Sequence, residues 1–328
     1  MIGRAGSIAA IAQLLFAAVS ANAQIRETCG ECKVESVSTC DGLLEGPAFD
    51  RDGTLWAVAP TKALIYRIVD GRCSVGIRMP QADAMPDGMR FLRDGTILGL
   101  DAAYGVFSAD PRDGSVRYLG ARPVKGHFPG ANYHGLNDLA IDRYGGAYIT
   151  DALGSSVLNP VGALYYRTPA GEMRLIHRGG LSFPDGIALS PDDATLYVAD
   201  WRAARILKMP VVAPGEVDID QSAVFAHLPA GVGPDGLAVD AAGNLFVADW
   251  GGGGQISVYR PDGRLIGGIR VPGVERFEPI NLTFRGSWLY FTDAAGVVRR
   301  VRTRTPGHVL YGDRAAPALP PAVPTKGD

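Results

Sequence analysis

Residues 234–249 read Pro-Asp-Gly-Leu-Ala-Val-Asp-Ala-Ala-Gly-Asn-Leu-Phe-Val-Ala-Asp. Apolar residues alternate on both sides of Ala242-Gly243-Asn244, a pattern that predicts two strands joined by a tight turn. We expect Asp235 to open the first strand, with Gly236–Val239 as its body. The second strand is predicted to cover Asn244–Ala248.

The same pattern occurs six times along the chain, at intervals of 42 to 50 residues. Each copy places one polar residue where its first strand is predicted to start. These residues are Glu45, Asp87, Asn137, Asp185, Asp235 and Asn281. Repeats of this length are typical of stacked or circular repeat architectures.

Each repeat is predicted to form four short strands, which indicates an all-β fold, a six-bladed β-propeller with four antiparallel strands per blade. In the fifth repeat the third and fourth strands are expected at Gln255–Tyr259 and Leu265–Ile269. Residues 35–39 are a candidate strand that pairs with the last repeat and closes the ring. We predict one domain over residues 24–312 and a proline-rich, disordered tail over residues 313–328.

Residues 1–23 are predicted to be a signal peptide. Arg4 gives a positive start, an apolar stretch follows, and Ala21-Asn22-Ala23 fits a cleavage site. We therefore expect an exported protein, periplasmic or secreted, without a stable membrane anchor.

The four cysteines agree with export, because disulfides persist in oxidising compartments. We favour the pairs Cys29–Cys32 and Cys40–Cys73 among the three pairings that four cysteines allow. A redox or zinc role for Cys29-x-x-Cys32 is the alternative.

In a propeller the first strand of each blade lines a central channel, so the six polar residues are expected to form one ring at one channel mouth. They are oxygen donors only, which suits a hard divalent cation, with Ca²⁺ preferred and Zn²⁺, Mn²⁺ or Mg²⁺ as alternatives. The competing interpretation is that each Asp or Asn caps a turn. A second recurring set is interpreted as structural: Asp50, Asp142 and Asp240, and Asp101, Asp151, Asp200, Asp249 and Asp293.

The chain resembles the SMP-30/gluconolactonase/luciferin-regenerating-enzyme-like family over residues 40–310. The residues that carry the resemblance are Glu45-Gly46-Pro47, Asn137-Asp138, Pro184-Asp185-Gly186 and Pro234-Asp235-Gly236. The resemblance implies a divalent-metal-dependent hydrolase, commonly a lactonase. It implies that Glu45 and Asp235 are metal ligands, that Asn137 binds metal or substrate, and that Asp235 is the general acid/base.

Residue 185 departs from the family pattern, which has Asn where this chain has Asp. Asp185 keeps an oxygen ligand, so we predict a metal site of Glu45, Asn137, Asp185 and Asp235. The added charge is expected to tighten cation binding and to reduce the polarising power of the ion.

The predicted function is hydrolysis of a small-molecule lactone or ester, with Asp235 as the catalytic residue. His134, Asn137, Asp87 and Asn281 are the expected substrate-binding residues. Alternatives are a phosphotriester hydrolase on the same site, a strictosidine-synthase-like propeller, or a non-enzymatic ligand-binding propeller. A net charge of −2 without a basic run argues against nucleic acid, and no obligate protein partner is evident.

Overall fold

The computed structural model describes residues 28–29, 31–119, 135–152, 154–229, 233–251, 255–271 and 278–314. Strand β1 is Val34–Thr39. Blade one is formed by β2 (Glu45–Phe49), β3 (Leu55–Ala59), β4 (Leu64–Val69) and β5 (Arg72–Arg78). Blade two is formed by β6 (Pro86–Phe91), β7 (Ile97–Asp101), β8 (Gly105–Ala109) and β9 (Val116–Tyr118). Blade three is formed by β10 (Leu136–Ile141), β11 (Ala147–Asp151), β12 (Ala163–Arg167) and β13 (Met173–Arg178).

The remaining three sheets follow in the same order along the chain. Blade four is formed by β14 (Pro184–Leu189), β15 (Thr195–Asp200), β16 (Arg205–Ala213) and β18 (Ala223–His227), with the two-residue β17 (Glu216–Val217) added to the far end of β16. Blade five is formed by β19 (Gly233–Val239), β20 (Leu245–Trp250), β21 (Gln255–Tyr259) and β22 (Leu265–Ile269). Blade six is formed by β23 (Pro279–Arg285), β24 (Trp288–Asp293), β25 (Val297–Arg302) and β1. The first strands of successive blades contact one another and close a ring, so the predicted six-bladed propeller is confirmed.

The ring is closed by the two ends of the chain together. Strand β1 pairs antiparallel with β25, with Val34 opposite Val301 and Thr39 opposite Val297. This confirms the predicted closing strand. The two favoured disulfides, Cys29–Cys32 and Cys40–Cys73, are also formed. The second of them ties the residue that follows β1 to β5 of blade one.

The apolar core lies between blades rather than within them. Six hydrophobic clusters are found among the described residues, and each combines side chains of two neighbouring blades. Between blades five and six, for example, Phe246 packs edge-on against Phe284 with ring centroids 5.1 Å apart. The alternating pattern of each strand therefore buries one face against the preceding blade and the other against the next.

The second recurring set of aspartates is structural, as predicted. Asp101 accepts hydrogen bonds from the backbone N–H groups of Met85, Ala103 and Tyr104 and from the hydroxyl of Tyr118. Asp142 similarly accepts bonds from Tyr144, Gly146 and Tyr166. Such buried carboxylates satisfy backbone donors at the turns between strands.

The strand boundaries differ from prediction mainly at the start of the inner strands. Strand β19 begins at Gly233, so Asp235 lies inside it rather than opening it. Strands β21 and β22 have the predicted bounds.

The predicted signal peptide lies outside the described residues, as does the tail beyond residue 314. In the described part, no helix is long and apolar enough to span a membrane.

We predict that the two disulfides contribute unequally to stability. They close loops with sequence separations of 33 and 3 residues, for which loop-closure entropy gives about 4 and about 2 kcal/mol. The paired substitution Cys40→Ala/Cys73→Ala should therefore lower the free energy of unfolding more than Cys29→Ala/Cys32→Ala does. Urea unfolding followed by circular dichroism measures both. Each disulfide has one buried cysteine, Cys29 or Cys40, so the two double variants lose a similar amount of packing. Equal decreases in the free energy of unfolding would contradict the prediction.

Candidate functional site

All six inner strands carry the same irregularity near their first residues. In each, one extra residue is inserted after the first cross-strand pair, or after the second pair in β19, which is a β-bulge. Asp87, Asn137, Asp185 and Asp235 all directly follow the last residue paired before the bulge. Glu45 lies one position earlier, and Asn281 lies one position later. The predicted equivalence is therefore correct for four of the six residues.

Glycines after the bulged aspartates let neighbouring inner strands approach closely. A Cβ atom on Gly186 would lie 2.2 Å from the carbonyl oxygen of Asp235, and one on Gly236 would lie 2.5 Å from the Cα of Asn281. Neither distance is compatible with a side chain. The Asp-Gly pairs therefore serve strand packing around the channel, and they bring polar side chains of successive blades together.

Two sets of polar interactions connect these side chains. The Asn281 Nδ2 group donates to Glu45 Oε2 at 3.1 Å, across the junction between blades six and one. Asp185 has hydrogen-bonding interactions with Asn137 on one side and with Asp235 on the other. Thr150 supports the same region by donating its hydroxyl to the carbonyl oxygen of Asp185 at 2.6 Å.

The crowded carboxyl groups hold their protons more tightly than usual. Burial raises the pKa of Glu45 to about 8, and the charge of Asp185 adds to this. Burial and the charge of Asp138 raise the pKa of Asp185 to about 8, although Asn137 and Asp235 oppose the rise. Burial raises the pKa of Asp235 well above its usual value, with Asp185 and then Glu45 as the next causes.

Asp87 belongs to the same electrostatic group. Burial, followed by the charges of Glu45 and Asp185, raises its pKa well above the usual value. The structure thus places all six predicted ring residues near one channel mouth. His134, the remaining predicted site residue, lies outside the described residues.

Asp138 is a member of the group that the sequence analysis missed. It is only 1% exposed, one carboxylate oxygen accepts from the N–H of Leu139 at 2.8 Å, and Arg90 lies 3.4 Å away. Its other oxygen is buried and has no hydrogen-bond partner among the described residues. Regular strand alternation would place Asn137 and Asp138 on opposite faces. The bulge removes that alternation and gives Asp138 the same position as Asn281.

The donor set fits a hard divalent cation in its chemistry. Glu45, Asp185 and Asp235 are carboxylates that repel one another, and Asn137 adds an amide oxygen. Among the residues that the structure describes, however, no group of three or more His, Cys, Asp or Glu side chains is arranged to hold a metal ion. A cation would therefore need amide ligands such as Asn137 as well, and the support for a cation is the electrostatics of the group.

Comparison with known proteins places this architecture in a family. The family model for the SMP-30/Gluconolactonase/LRE-like region matches residues 43–295. The chain belongs to this family. Membership was predicted from the sequence motifs, and the match confirms it.

Similar proteins include lactonases and related propellers. The chain is 28% identical over 236 residues to the lactonase drp35 of Staphylococcus aureus, covering 70% of each protein. A gluconolactonase from Xanthomonas campestris superposes with a TM-score of 0.70 at 22% identity, covering 86% of this chain and 93% of the other. Regucalcin from Agrobacterium tumefaciens, described as a calcium-binding protein, gives a TM-score of 0.69 at 23% identity, covering 83% and 94%. The two structural matches show the shared fold.

We predict that the metal-free protein becomes less stable as the pH rises. The pKa values of Glu45 and Asp185 rise from 4.5 and 3.8 to about 8 on folding. Between these limits the folded state holds protons that the unfolded state has lost, so stability falls up to about pH 8 and then levels off. Thermal melts in chelator between pH 5 and pH 9 should show this fall, and added Ca²⁺ should oppose it most at high pH.

The control for this experiment is a titrating carboxyl whose pKa is shifted by burial and not by the ring carboxyls. Burial raises the pKa of Asp249 to about 7. Asp249→Asn should therefore remove only part of the decrease in melting temperature, the part that occurs below pH 7. Glu45→Gln should flatten the fall that extends to about pH 8. A melting temperature that rises with pH in chelator would contradict the prediction.

Proposed function

We propose that this protein is a lactonase-type hydrolase that acts on a small-molecule lactone or ester at the mouth of its central channel. The observation that carries the proposal is the grouping of Glu45, Asp185 and Asp235 with the amides Asn137 and Asn281. The relatives named lactonase and gluconolactonase support the same class of reaction.

We further propose that the site works with a divalent cation, Ca²⁺ in preference to others, held by Glu45, Asn137, Asp185 and Asp235. Carboxylate and amide oxygens in an irregular arrangement are the ligands that Ca²⁺ accepts. When bound, the ion would polarise the carbonyl group of the substrate. It would also offset the repulsion that otherwise keeps these carboxyl groups protonated.

Asp235 is the proposed general base. Its carboxylate takes a proton from the attacking water as the water oxygen bonds to the carbonyl carbon. The same proton then passes to the alkoxide oxygen as the ring C–O bond breaks, so the product is a hydroxy acid. Asp235 must be ionised to begin this cycle, and its interaction with Asp185 sets the proton occupancy of the pair.

The amides and Glu45 have positioning roles in this proposal. Asn281 donates to Glu45 and fixes the orientation of that carboxylate across the blade junction. Asn137 forms a hydrogen bond with Asp185. One of its two polar amide atoms is used in this bond, and the other is left for the substrate or the cation. Asp87 stands beside Glu45 and Asp185 as a further acceptor for substrate hydroxyl groups.

We also propose that the protein is exported. The two disulfides support this proposal, because such bonds persist in oxidising compartments. A structural role for Cys29–Cys32 fits the same setting.

A panel of lactones, aryl esters and phosphotriesters tests the proposed reaction, with and without chelator. We expect lactone or ester hydrolysis that chelation abolishes and Ca²⁺ restores. Asp235→Asn should lower kcat by about a hundredfold or more, since general-base catalysis contributes on that order. Asp142→Asn, a buried carboxyl at the other end of an inner strand, should keep its activity.

The same panel shows how the proposal fails. Hydrolysis of phosphotriesters alone would favour that alternative chemistry on the same site. Full lactonase activity in Asp235→Asn would remove Asp235 from the mechanism, and the absence of hydrolysis in the wild type would favour a binding propeller.

Asp185→Asn tests the role of the extra carboxylate. Removing one of the mutually repelling groups should raise the melting temperature of the metal-free protein. Because fewer charged ligands remain, the affinity for Ca²⁺ should fall about tenfold. Melting curves in chelator and calorimetric Ca²⁺ titration measure the two effects. A lower metal-free melting temperature with unchanged Ca²⁺ affinity would contradict this role.

A further inference from the structure

One position at the candidate mouth differs sharply between blades. It is the residue that directly follows the second-strand partner of the last residue paired before the bulge in each inner strand. In four blades this residue is alanine, at Ala59, Ala102, Ala152 and Ala294. In blades four and five it is tryptophan, at Trp201 and Trp250. The repeat therefore places two large aromatic side chains on one side of an otherwise small-residue rim.

These tryptophans form a continuous aromatic surface with Phe183, which we call the aromatic wall. The ring centroids of Trp201 and Trp250 are 5.2 Å apart, and those of Phe183 and Trp201 are 5.6 Å apart. All three side chains are partly exposed. The backbone N–H of Trp201 donates to the backbone carbonyl oxygen of Phe183 at 3.0 Å, which fixes these two residues relative to each other.

The aromatic wall lies next to the backbone segments that immediately precede Asp185 and Asp235 of the candidate site. Phe183 lies two residues before Asp185, which corresponds to about 7 Å along a strand. Gly233, two residues before Asp235, pairs with Trp250. A Cβ atom on Gly233 would lie 2.2 Å from the Trp201 ring, so this indole packs directly against the backbone that leads to Asp235.

The backbone of Phe183 is held in an unusual conformation. Its φ angle is +116°, a region that residues with a side chain rarely adopt. Such strain persists where the surroundings impose it, and it is frequent next to functional sites. Here the strained residue turns its ring toward Trp201, immediately ahead of Pro184-Asp185.

The wall also has two polar features. The Trp250 Nε1–H group is buried and has no acceptor among the described residues. The guanidinium of Arg202 lies 5.2 Å from the ring of Trp201 and 5.4 Å from that of Phe183, on the exposed side. An apolar surface with a buried unused donor, and with a guanidinium on its exposed side, suits a ligand group that is apolar and carries an acceptor oxygen.

We propose that the aromatic wall is a substrate subsite that binds an apolar substituent, alkyl or aryl, on the lactone. This inference rests on the proposed lactonase function and specifies its substrate class. The Trp250 N–H donates to an acceptor oxygen of the bound molecule. Polyhydroxylated sugar lactones are poor substrates by this assignment, because their hydroxyl groups would lose water against the aromatic rings without gaining partners.

The test compares kcat/KM for lactones that carry no substituent, a hexyl chain or a phenyl group, together with a sugar lactone. We expect the substituted lactones to be preferred by about tenfold or more, as expected for burial of such a group on aromatic side chains. Trp201→Ala and Trp250→Ala should remove this preference. The alkyl and phenyl arms show which apolar group the wall prefers.

Trp288→Ala is the matched control. Trp288 is also half-buried and also stacks with an arginine, Arg300 at 4.3 Å, but it lies at the opposite end of blade six. This variant should keep the substituent preference of the wild type. Trp201→Leu, which retains apolar bulk, keeps the test decisive if Trp201→Ala does not fold. Trp250→Phe should weaken the binding only of ligands whose wall-binding group carries an acceptor oxygen.

A binding measurement separates this inference from the proposed function. A hexyl-substituted lactam, which resists hydrolysis, should bind to the wild type and to Trp288→Ala in calorimetric titration but much more weakly to Trp201→Ala. Lactam binding without any lactone hydrolysis would refute the function and keep the subsite. Lactone hydrolysis with no preference among substituents, or with a preference that survives both wall substitutions, would overturn the subsite and keep the function.

Discussion

The candidate site depends on the crowding of acidic side chains where six inner strands meet. Glu45, Asp87, Asp185 and Asp235 come from four different blades, and the charges of Glu45, Asp87 and Asp185 raise the pKa of others in the group. Such an arrangement is unfavourable for ionised carboxylates unless protons or a cation offset the charge. The fold tolerates this crowding because the apolar clusters between blades stabilise the strands, whichever side chains lie at the strand ends. The proposed lactonase site would, by this arrangement, exchange local stability for reactivity.

Two local features of the inner strands, a β-bulge and the glycines that follow it, bring the site residues together. The β-bulge at the start of each inner strand changes the direction of one side chain without disturbing the rest of the strand. The glycines that follow let adjacent strands approach to distances that no side chain would permit, as at Gly186 and Gly236. Together they explain why Asp-Gly pairs lie within strands here, although such pairs usually mark turns. They also explain why Asp138 and Asn281, which look unrelated in sequence, occupy equivalent positions.

The blades repeat, but the mouth that they form is not symmetric. Acidic groups come from blades one to five, counting Asp138, and amides come from blades three and six. The aromatic wall is formed by side chains of blades four and five. A repeated scaffold thus presents a different side chain at each equivalent position, and specificity follows from those differences. Closure by β1 and the Cys40–Cys73 bond keeps the six positions in fixed relation, which a site shared by many blades requires.

The sequence by itself determined the number of blades, the closing strand, both disulfides and the polar residue that each blade contributes. It could do so because strand alternation and turn residues are local signals that recur with the repeat. The bulge, the one-residue offsets of Glu45 and Asn281, the inclusion of Asp138 and the wall formed by Phe183, Trp201 and Trp250 were decided only by tertiary structure. These features depend on how closely neighbouring strands pack around the channel, and no pattern within a single repeat records that distance.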